Sequence, residues 1–415
     1  MLKEGAGMNA TEMKVRLPKN WSVARCEDVI DVRDGTHYTP KYVPSGYPFI
    51  TSKNLKPEGI DFSTASYISE EDHREYSKRS KVNRGDILYV MIGTIGNPVF
   101  VDVDIEFSIK NVALFKFAKS PIDGKYFRYL LETAIFTKQI DAEQRGGTQK
   151  FVSLTVLRNA LIPYPPIEEQ RRIAEILDRA DAIRRKRQEA IRLTEELLRS
   201  AFLEMFGDPV TNPKGWTSGT ILNVVTNPSD MRCGPFGTQL KAEEIVSEGI
   251  PLIGIENVKG GKFQSAISKH ITSSKAKELA AFDVQAGDVL VTRMGTIGHA
   301  CVVPQDLGEA RISYHLFRIR SNPDKCLPGF LASTITWSGT FLRQLERLSH
   351  GAIMAGLKTA DLKEVRFLIP PIKLQNQYLE VVADTERLLE KQKQRLMNDD
   401  NLFDSLLQRA FRGEL

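Results

Sequence analysis

The 415-residue sequence is short of the residues that usually make catalysts. It has 4 Cys, at positions 26, 233, 301 and 326, with no C-x-x-C pair and no His at ligand spacing, which excludes a disulfide framework and a zinc ribbon and leaves them as packing residues. Its 6 His (37, 73, 270, 299, 315 and 350) are scattered, and no Ser or Cys sits in a nucleophile-elbow sequence beside them. There is no Gly-rich phosphate loop ending in Lys-Ser/Thr, so no NTPase motor is indicated. No apolar run approaches the roughly 18 residues that would cross a membrane. The opening Met1–Trp21 stretch puts charges and glycines where a secretory signal needs an apolar core, so the expected location is the cytoplasm. Charge of one sign is also scarce: Lys+Arg 57 against Asp+Glu 52 gives +5, which permits a polyanionic partner without requiring one.

What is present is a repeat of domain size. Leu17-Pro18-Lys19-Asn20-Trp21 returns as Asn212-Pro213-Lys214-Gly215-Trp216. Gly85-Asp86-Ile87-Leu88 followed by Gly93-Thr94-Ile95-Gly96 returns as Gly287-Asp288-Val289-Leu290 followed by Gly295-Thr296-Ile297-Gly298. Pro165-Pro166-Ile167 with Gln170 returns as Pro370-Pro371-Ile372 with Gln375, and Leu197-Leu198 with Ala201-Phe202 as Leu406-Leu407 with Ala410-Phe411. All four pairs keep their order at a spacing of about 200 residues, so chance recurrence fails and an internal duplication remains.

Each repeat has two parts. The first is broken by Gly, Pro, Asn and Asp between short β-branched runs and reads as a mixed α/β globule, in which Gly-Thr-Ile-Gly makes a tight turn joining two strands. The second runs about 40 residues from Pro166 or Pro371 without Gly or Pro and reads as one helix, a rod of roughly 60 Å. The expected division is therefore 1–165 globule, 166–207 helix, 208–369 globule and 370–415 helix, an α+β (mixed α/β) fold. In the first helix Ile176, Ala180, Ile183, Ala190, Leu197 and Ala201 form a heptad-like stripe, widened by Ile173, Leu177, Ile191, Leu198 and Met205. In the second, Tyr378, Val382, Leu389, Leu396, Phe403, Leu406 and Ala410 do the same. Ile176, Ala180, Ile183, Leu197, Leu389, Leu396, Phe403 and Leu406 are the expected coiled-coil or partner-docking residues. The basic run Arg184-Arg185-Lys186-Arg187 is matched by acids along the same helix and reads as a salt-bridged surface.

The search for chemistry returns recognition residues instead of a catalytic set. Tyr164-Pro165-Pro166-Ile167 lacks the amide of the Asn-Pro-Pro-Tyr loop of amino-methyltransferases, and acidic clusters such as Glu70-Glu71-Asp72 and Asp399-Asp400 read as solvated surface, with no metal site expected. Loops beside glycines carry side chains that match base edges and phosphates. In the first globule these are Thr36, His37, Lys53, Asn54, Thr94, Lys110, Asn111, Thr148, Gln149 and Lys150. In the second they are Arg232, Phe236, Thr238, Gln239, Asn257, Lys259, Arg293, Thr296, Tyr314 and His315. For any one of them, ordinary turn chemistry is the simpler explanation.

Together the Gly-Asp block leading to Gly-Thr-Ile-Gly, the Pro-Pro-Ile-x-x-Gln helix opening and the closing Leu406–Leu415 sequence resemble the specificity (S) subunit of type I restriction-modification systems, over nearly the whole chain. The resemblance implies two target-recognition domains, each reading half of a split double-stranded DNA site, held apart by two antiparallel helices in a pseudo-twofold arrangement. It implies a non-catalytic chain with no cofactor of its own. Two modification subunits would carry S-adenosylmethionine and methylate adenine, and restriction subunits would use ATP and Mg. Departures occur at His350-Gly351-Ala352, where the first half has Gly146-Gly147-Thr148, and at Lys373-Leu374, where it has Glu168-Glu169. Two other readings remain: the recognition chain of a related system with a fused methyltransferase-nuclease, and a coiled-coil scaffold that touches no DNA.

Overall fold

The computed structural model describes residues 17–142, 150–208, 210–295, 297–348 and 356–415. The chain divides into two compact units, one of residues up to Gln188 together with Gln394–Leu415, the other Glu189–Lys393. The cut falls inside the two long helices, Ile167–Phe206 and Ile372–Ala410. Each unit therefore holds the opening half of one long helix and the closing half of the other.

At the centre of the first unit is a four-stranded antiparallel sheet in the order Asp31–Asp34, Val112–Lys116, Ile87–Val90, Gly96–Phe100. Its two faces bury different cores. Ile87, Tyr89, Ala113 and Phe115 face the helices Gly124–Leu130, Ala134–Ala142 and Leu154–Asn159, while Leu88, Val90, Val112 and Leu114 pack with Ile50, Leu55 and Ile109 on the other side. Burial of both faces is why the 87–90 run is apolar throughout instead of alternating. Beneath the second face lies a small mixed sheet in which Tyr47–Ile50 pairs antiparallel with Ser66–Ile68 and parallel with Ser108–Ile109.

The second unit repeats this plan. Its central sheet runs Met231–Cys233, Leu316–Ile319, Val289–Thr292, Ala300–Val302, with Val289, Val291 and Phe317 in one core and Leu290, Cys301 and Leu316 in the other. Ile250–Ile253 again pairs parallel with the strand that leads into the sheet, here Ala310–Ile312. The Gly-Thr-Ile-Gly segments join the strand pairs expected of them, with Gly93, Gly96, Gly295 and Gly298 at positive φ. All four cysteines are free and buried.

The repeated motifs turn out to be fasteners. Gln170 and Gln375 are fully buried on their helices. The Gln170 amide accepts from Asp123 N at 2.8 Å and donates to the Pro121 and Pro165 carbonyls. Gln375 does the same with Leu327 N, Lys325 O and Pro370 O. Each glutamine thus ties the helix opening to the globule that precedes it. Gly-Asp is a second fastener: Asp86 takes Asn83 N and the Lys116 ammonium (2.5 Å), and Asp288 takes Gln285 N and the Arg320 guanidinium (2.8 Å). Burial pushes the Asp86 carboxyl upward, against the pull of Lys116. The third is Pro-Lys-x-Trp. Pro213 lies over Gly207 at the close of the first helix, with Trp216 Nε1 donating to Phe206 O at 3.1 Å. In the first unit Pro18 and Trp21 lie in the same way over Gly413, past the close of the second helix. Both glycines have positive φ and a proline ring where a Cβ would sit, so no other residue fits.

Candidate nucleic-acid interface

An antiparallel sheet has loops at both ends, and strand direction decides which loops meet. In the first unit the 31–34 and 87–90 strands end where the 112–116 and 96–100 strands begin. The segments 35–41, 91–95 and 110–111 therefore share one sheet end. Because 47–50 runs parallel to 108–109, the 51–54 turn also emerges there. Lys150 joins them, its carbonyl accepting from Gly93 N at 3.0 Å. In the second unit the same topology gathers 234–239, 254–257, the turn after Thr292 and 313–315. Loops far apart in sequence thus form one surface per unit.

In the first unit His37, Lys53, Thr94 and Lys150 are exposed at this end, with Lys110 and Asn111 half-buried. The His37 ring stands between Asn111 Oδ1 (2.8 Å from Nδ1) and Asp34 Oδ2 (3.0 Å from Nε2), and Arg79 pairs with the same Asp34. Lys110 Nζ donates to Thr39 Oγ1, and Asn111 adopts φ 54. These contacts hold a cationic, donor-rich patch in place. In the second unit Phe236, Thr238, Gln239, Lys259 and Tyr314 are exposed and His315 is half-buried, its ring centroid 3.7 Å from that of Tyr314. Burial, with Lys269 and Arg293 nearby, holds the His315 imidazole below its usual range, and its Nδ1 has no hydrogen-bond partner.

Several nominated residues have other work. Asn54 and Asn257 are buried loop clamps: their amides accept from Thr51 N and Gly254 N and donate to Asp61 O and to Gln264 O. Thr36 is buried and its hydroxyl accepts from Tyr38 N. Arg293 is buried, donating to Leu357 O (3.0 Å) and Tyr314 O (3.2 Å) beneath the Phe236 ring. Arg232 lies within a strand, half-buried, with its guanidinium over the Phe282 ring. These five support the surface instead of presenting it. Thr148, Gln149 and Thr296 lie outside the described residues. Sequence reasoning missed Asp34, which orients His37, and the exposed Phe151 beside Lys150; a charged residue just before Gly35 and an aromatic after a lysine were the available signals.

The helices correct one further expectation. On the second helix the expected stripe is the inward one: Tyr378, Leu389, Phe403 and Ala410 are buried, Leu396 and Leu406 half-buried. On the first, Ile173, Leu177, Leu198 and Phe202 are buried, whereas Ile183 and Leu197 are each 52% exposed and Ile176 and Ala180 half-buried. Of the stripe expected to serve as coiled coil or partner-docking surface, Ile183 and Leu197 face outward, on the docking side of that expectation, because the helix carries two apolar rows and the buried Gln170 orients it by the other. The helix segments within each unit run antiparallel. In the first unit Arg172 meets Leu415 and Arg187 meets Asp399; in the second, Thr194 meets Gln392 and Phe206 meets Tyr378. Three of the four residues of the basic run are paired: Arg184 and Arg185 with Asp181, Arg187 with Asp399 (3.3 Å), and Asp400 lies 3.8 Å from Arg184. Asp399 is thus a seam partner and not solvated surface, while Asp400, beside Arg184, keeps its side chain 45% exposed at the seam's edge.

Two framework copies, each presenting one exposed loop surface of its own composition, define a duplicated recognition protein. Comparison with known proteins places it. The family model of the type I restriction modification DNA specificity domain matches residues 18–193 and 233–398, and the chain belongs to that family. It is 24% identical to the type I restriction enzyme MjaIX specificity subunit of Methanocaldococcus jannaschii, across 96% of this chain and 94% of that one. It is 27% identical to the EcoBI specificity subunit of Escherichia coli, across 68% of this chain and 64% of that one. A solved chain from a type I R-M system shares the fold with TM-score 0.60 at 18% identity, covering 96% of this chain and 99% of its own. DNA recognition is accordingly the function of this chain, and it is a non-catalytic subunit. Among the described residues no helix is long and apolar enough to cross a membrane.

Proposed function

We propose that the chain reads an asymmetric, two-part site in double-stranded DNA in the cytoplasm, one half at the sheet end of each unit. The observation that carries this reading is the convergence of loops distant in sequence on one end of each central sheet, with His37, Lys53, Lys110 and Lys150 in one unit and Phe236, Gln239 and Tyr314 in the other. Lys and exposed amides suit phosphates and base edges, and unlike loops on like frameworks suit unlike half-sites. The long helices carry two modification subunits, joined by restriction subunits. Support comes from apolar side chains left outward: Ile183 on the first unit, and Leu193, Leu197, Val381 and Leu388 on the second. Exposed apolar residues in such density mark a partner surface. S-adenosylmethionine, ATP and Mg belong to those partners in this reading, and this chain holds none of them.

Expressing the chain with its modification subunit and mapping methylated adenines across a genome tests the proposal. A gapped motif with two different halves is expected, together with duplex binding that weakens steeply as salt rises. Methylation at an ungapped motif, or binding indifferent to salt, overturns it.

A further inference from the structure

The two sheet ends can be matched residue by residue, because both have a glycine pressed against the facing loop. A Cβ on Gly35 would lie 2.4 Å from Ile109 O, and one on Gly234 would lie 2.0 Å from Ser313 O. Counting from these contacts, His37 corresponds to Phe236, Lys110 to Tyr314 and Asn111 to His315. The backbone is shared, and the chemistry is reversed at two of the three positions, the third being polar in both units. In the first unit all three positions are polar: His37 contacts Asn111, and Lys110 donates to Thr39, two residues along the loop from His37. In the second unit Phe236 is 53% exposed and Tyr314 40% exposed. The cation over the Phe236 ring, Arg293, is buried with its guanidinium 4.9 Å from the ring centroid and two of its nitrogens donating to backbone carbonyls. It backs the aromatic surface without being available to a ligand.

Resting on the DNA-recognition reading above, we propose that the two units select opposite features of the major groove. Lys110, positioned beside His37 and Asn111, takes the acceptor edge of a guanine, and Phe236 with Tyr314 takes the methyl group of a thymine. Guanine is the base whose groove edge offers two acceptors, O6 and N7, and an ammonium has only donors to give. The Phe236 ring has no group to pair with a donor or acceptor edge, the ring body of Tyr314 extends the same apolar cover, and the one apolar group in that groove is the thymine C5-methyl. Arg293 behind Phe236 keeps the ring in place, since its cation lies on the ring face.

The test uses the complex with its modification subunit on its own mapped site. Lys110→Ala makes one half-site degenerate, which assigns that half to the first unit. That half contains a guanine, and replacing it with 7-deazaguanine weakens binding about tenfold in the wild type, with no further loss in Lys110→Ala. In the other half, replacing thymine with deoxyuridine weakens binding about fourfold, as removal of one buried methyl group should. Phe236→Ala abolishes that difference, while Phe236→Leu, which keeps an apolar cover over Arg293, retains it. A first half lacking guanine, indifference to 7-deazaguanine, or equal binding of thymine and uracil overturns the proposal. The last result is also what a phenylalanine wedged between base steps would give. Failure of the parent reading looks different: the wild-type complex then shows no site preference before any analogue is introduced.

Discussion

The two units share their fasteners and differ in what they display. Gln170 and Gln375 make the same three hydrogen bonds, Asp86 and Asp288 the same turn and ion pair, Gly207 and Gly413 the same contact with a Pro-Lys-x-Trp segment. A few residues away, Lys53 stands where the second unit has Glu256, and Lys110 where it has Tyr314. The difference teaches that framework and display are separable here. The hydrogen bonds that hold the globule together are buried and backbone-directed, so exposed loop residues change without disturbing them.

That separation can be broken at several strengths. Gln170→Ala and Gln375→Ala should each cost about 4 kcal/mol, since each leaves several buried backbone groups unpaired. Denaturant unfolding should show equal losses for the two, and a large difference would mean that the clamps are not equivalent. Gly35→Ala and Gly234→Ala come next, at about 2 kcal/mol from forcing backbone segments apart. Each should also weaken recognition of its own half-site, read by methylation of half-site variants. Smaller still, and opposite in sign, are the charge changes. Lys53→Ala should weaken duplex binding and flatten its salt dependence by about one counterion, whereas Glu256→Ala, which removes an acid and frees Lys269, should tighten it. Salt-dependent titration checks both, and a shared sign would refute the matching of these positions.

The smallest effect concerns pH. His73 in the first unit stacks on Tyr47 at 4.0 Å and meets Ser108 Oγ at 2.9 Å. Burial, reinforced by Lys81 and opposed by Glu106, holds its imidazole below the usual range. The unfolded chain then binds the extra proton more readily than the folded one, so this contribution is present above about pH 6.5 and is lost as pH falls below it. His73→Gln should flatten the acid side of the stability profile of the first unit, measured by urea midpoints from pH 5 to 8.

Much of this was legible in the sequence. Duplication, helix extent and the strand-turn-strand role of Gly-Thr-Ile-Gly rest on local rules that packing did not override, with the helices observed at Ile167–Phe206 and Ile372–Ala410 against expected spans of 166–207 and 370–415. The loops were also identified, because loops announce themselves by composition. Within them, single residues were not: Asn54 and Lys53 are neighbours of equal polarity, and only the fold shows that one clamps the turn while the other meets solvent. Arg293 misled for the same reason, since a guanidinium that satisfies carbonyls is indistinguishable in sequence from one that waits for a ligand. The first helix could not be oriented because two apolar stripes share it and the choice between them is tertiary.

The polar residues set into the helix seam have a consequence for assembly. Apolar heptads tolerate sliding, since one leucine replaces another when a helix slips by a repeat. Arg187 opposite Asp399 and Arg184 opposite Asp400 do not, because the same slip would set the two guanidiniums against Leu406 and Leu407 and leave half-buried charges unanswered. The two helices therefore engage like a notched rule in its keyed slot, with one alignment in which every tooth is seated.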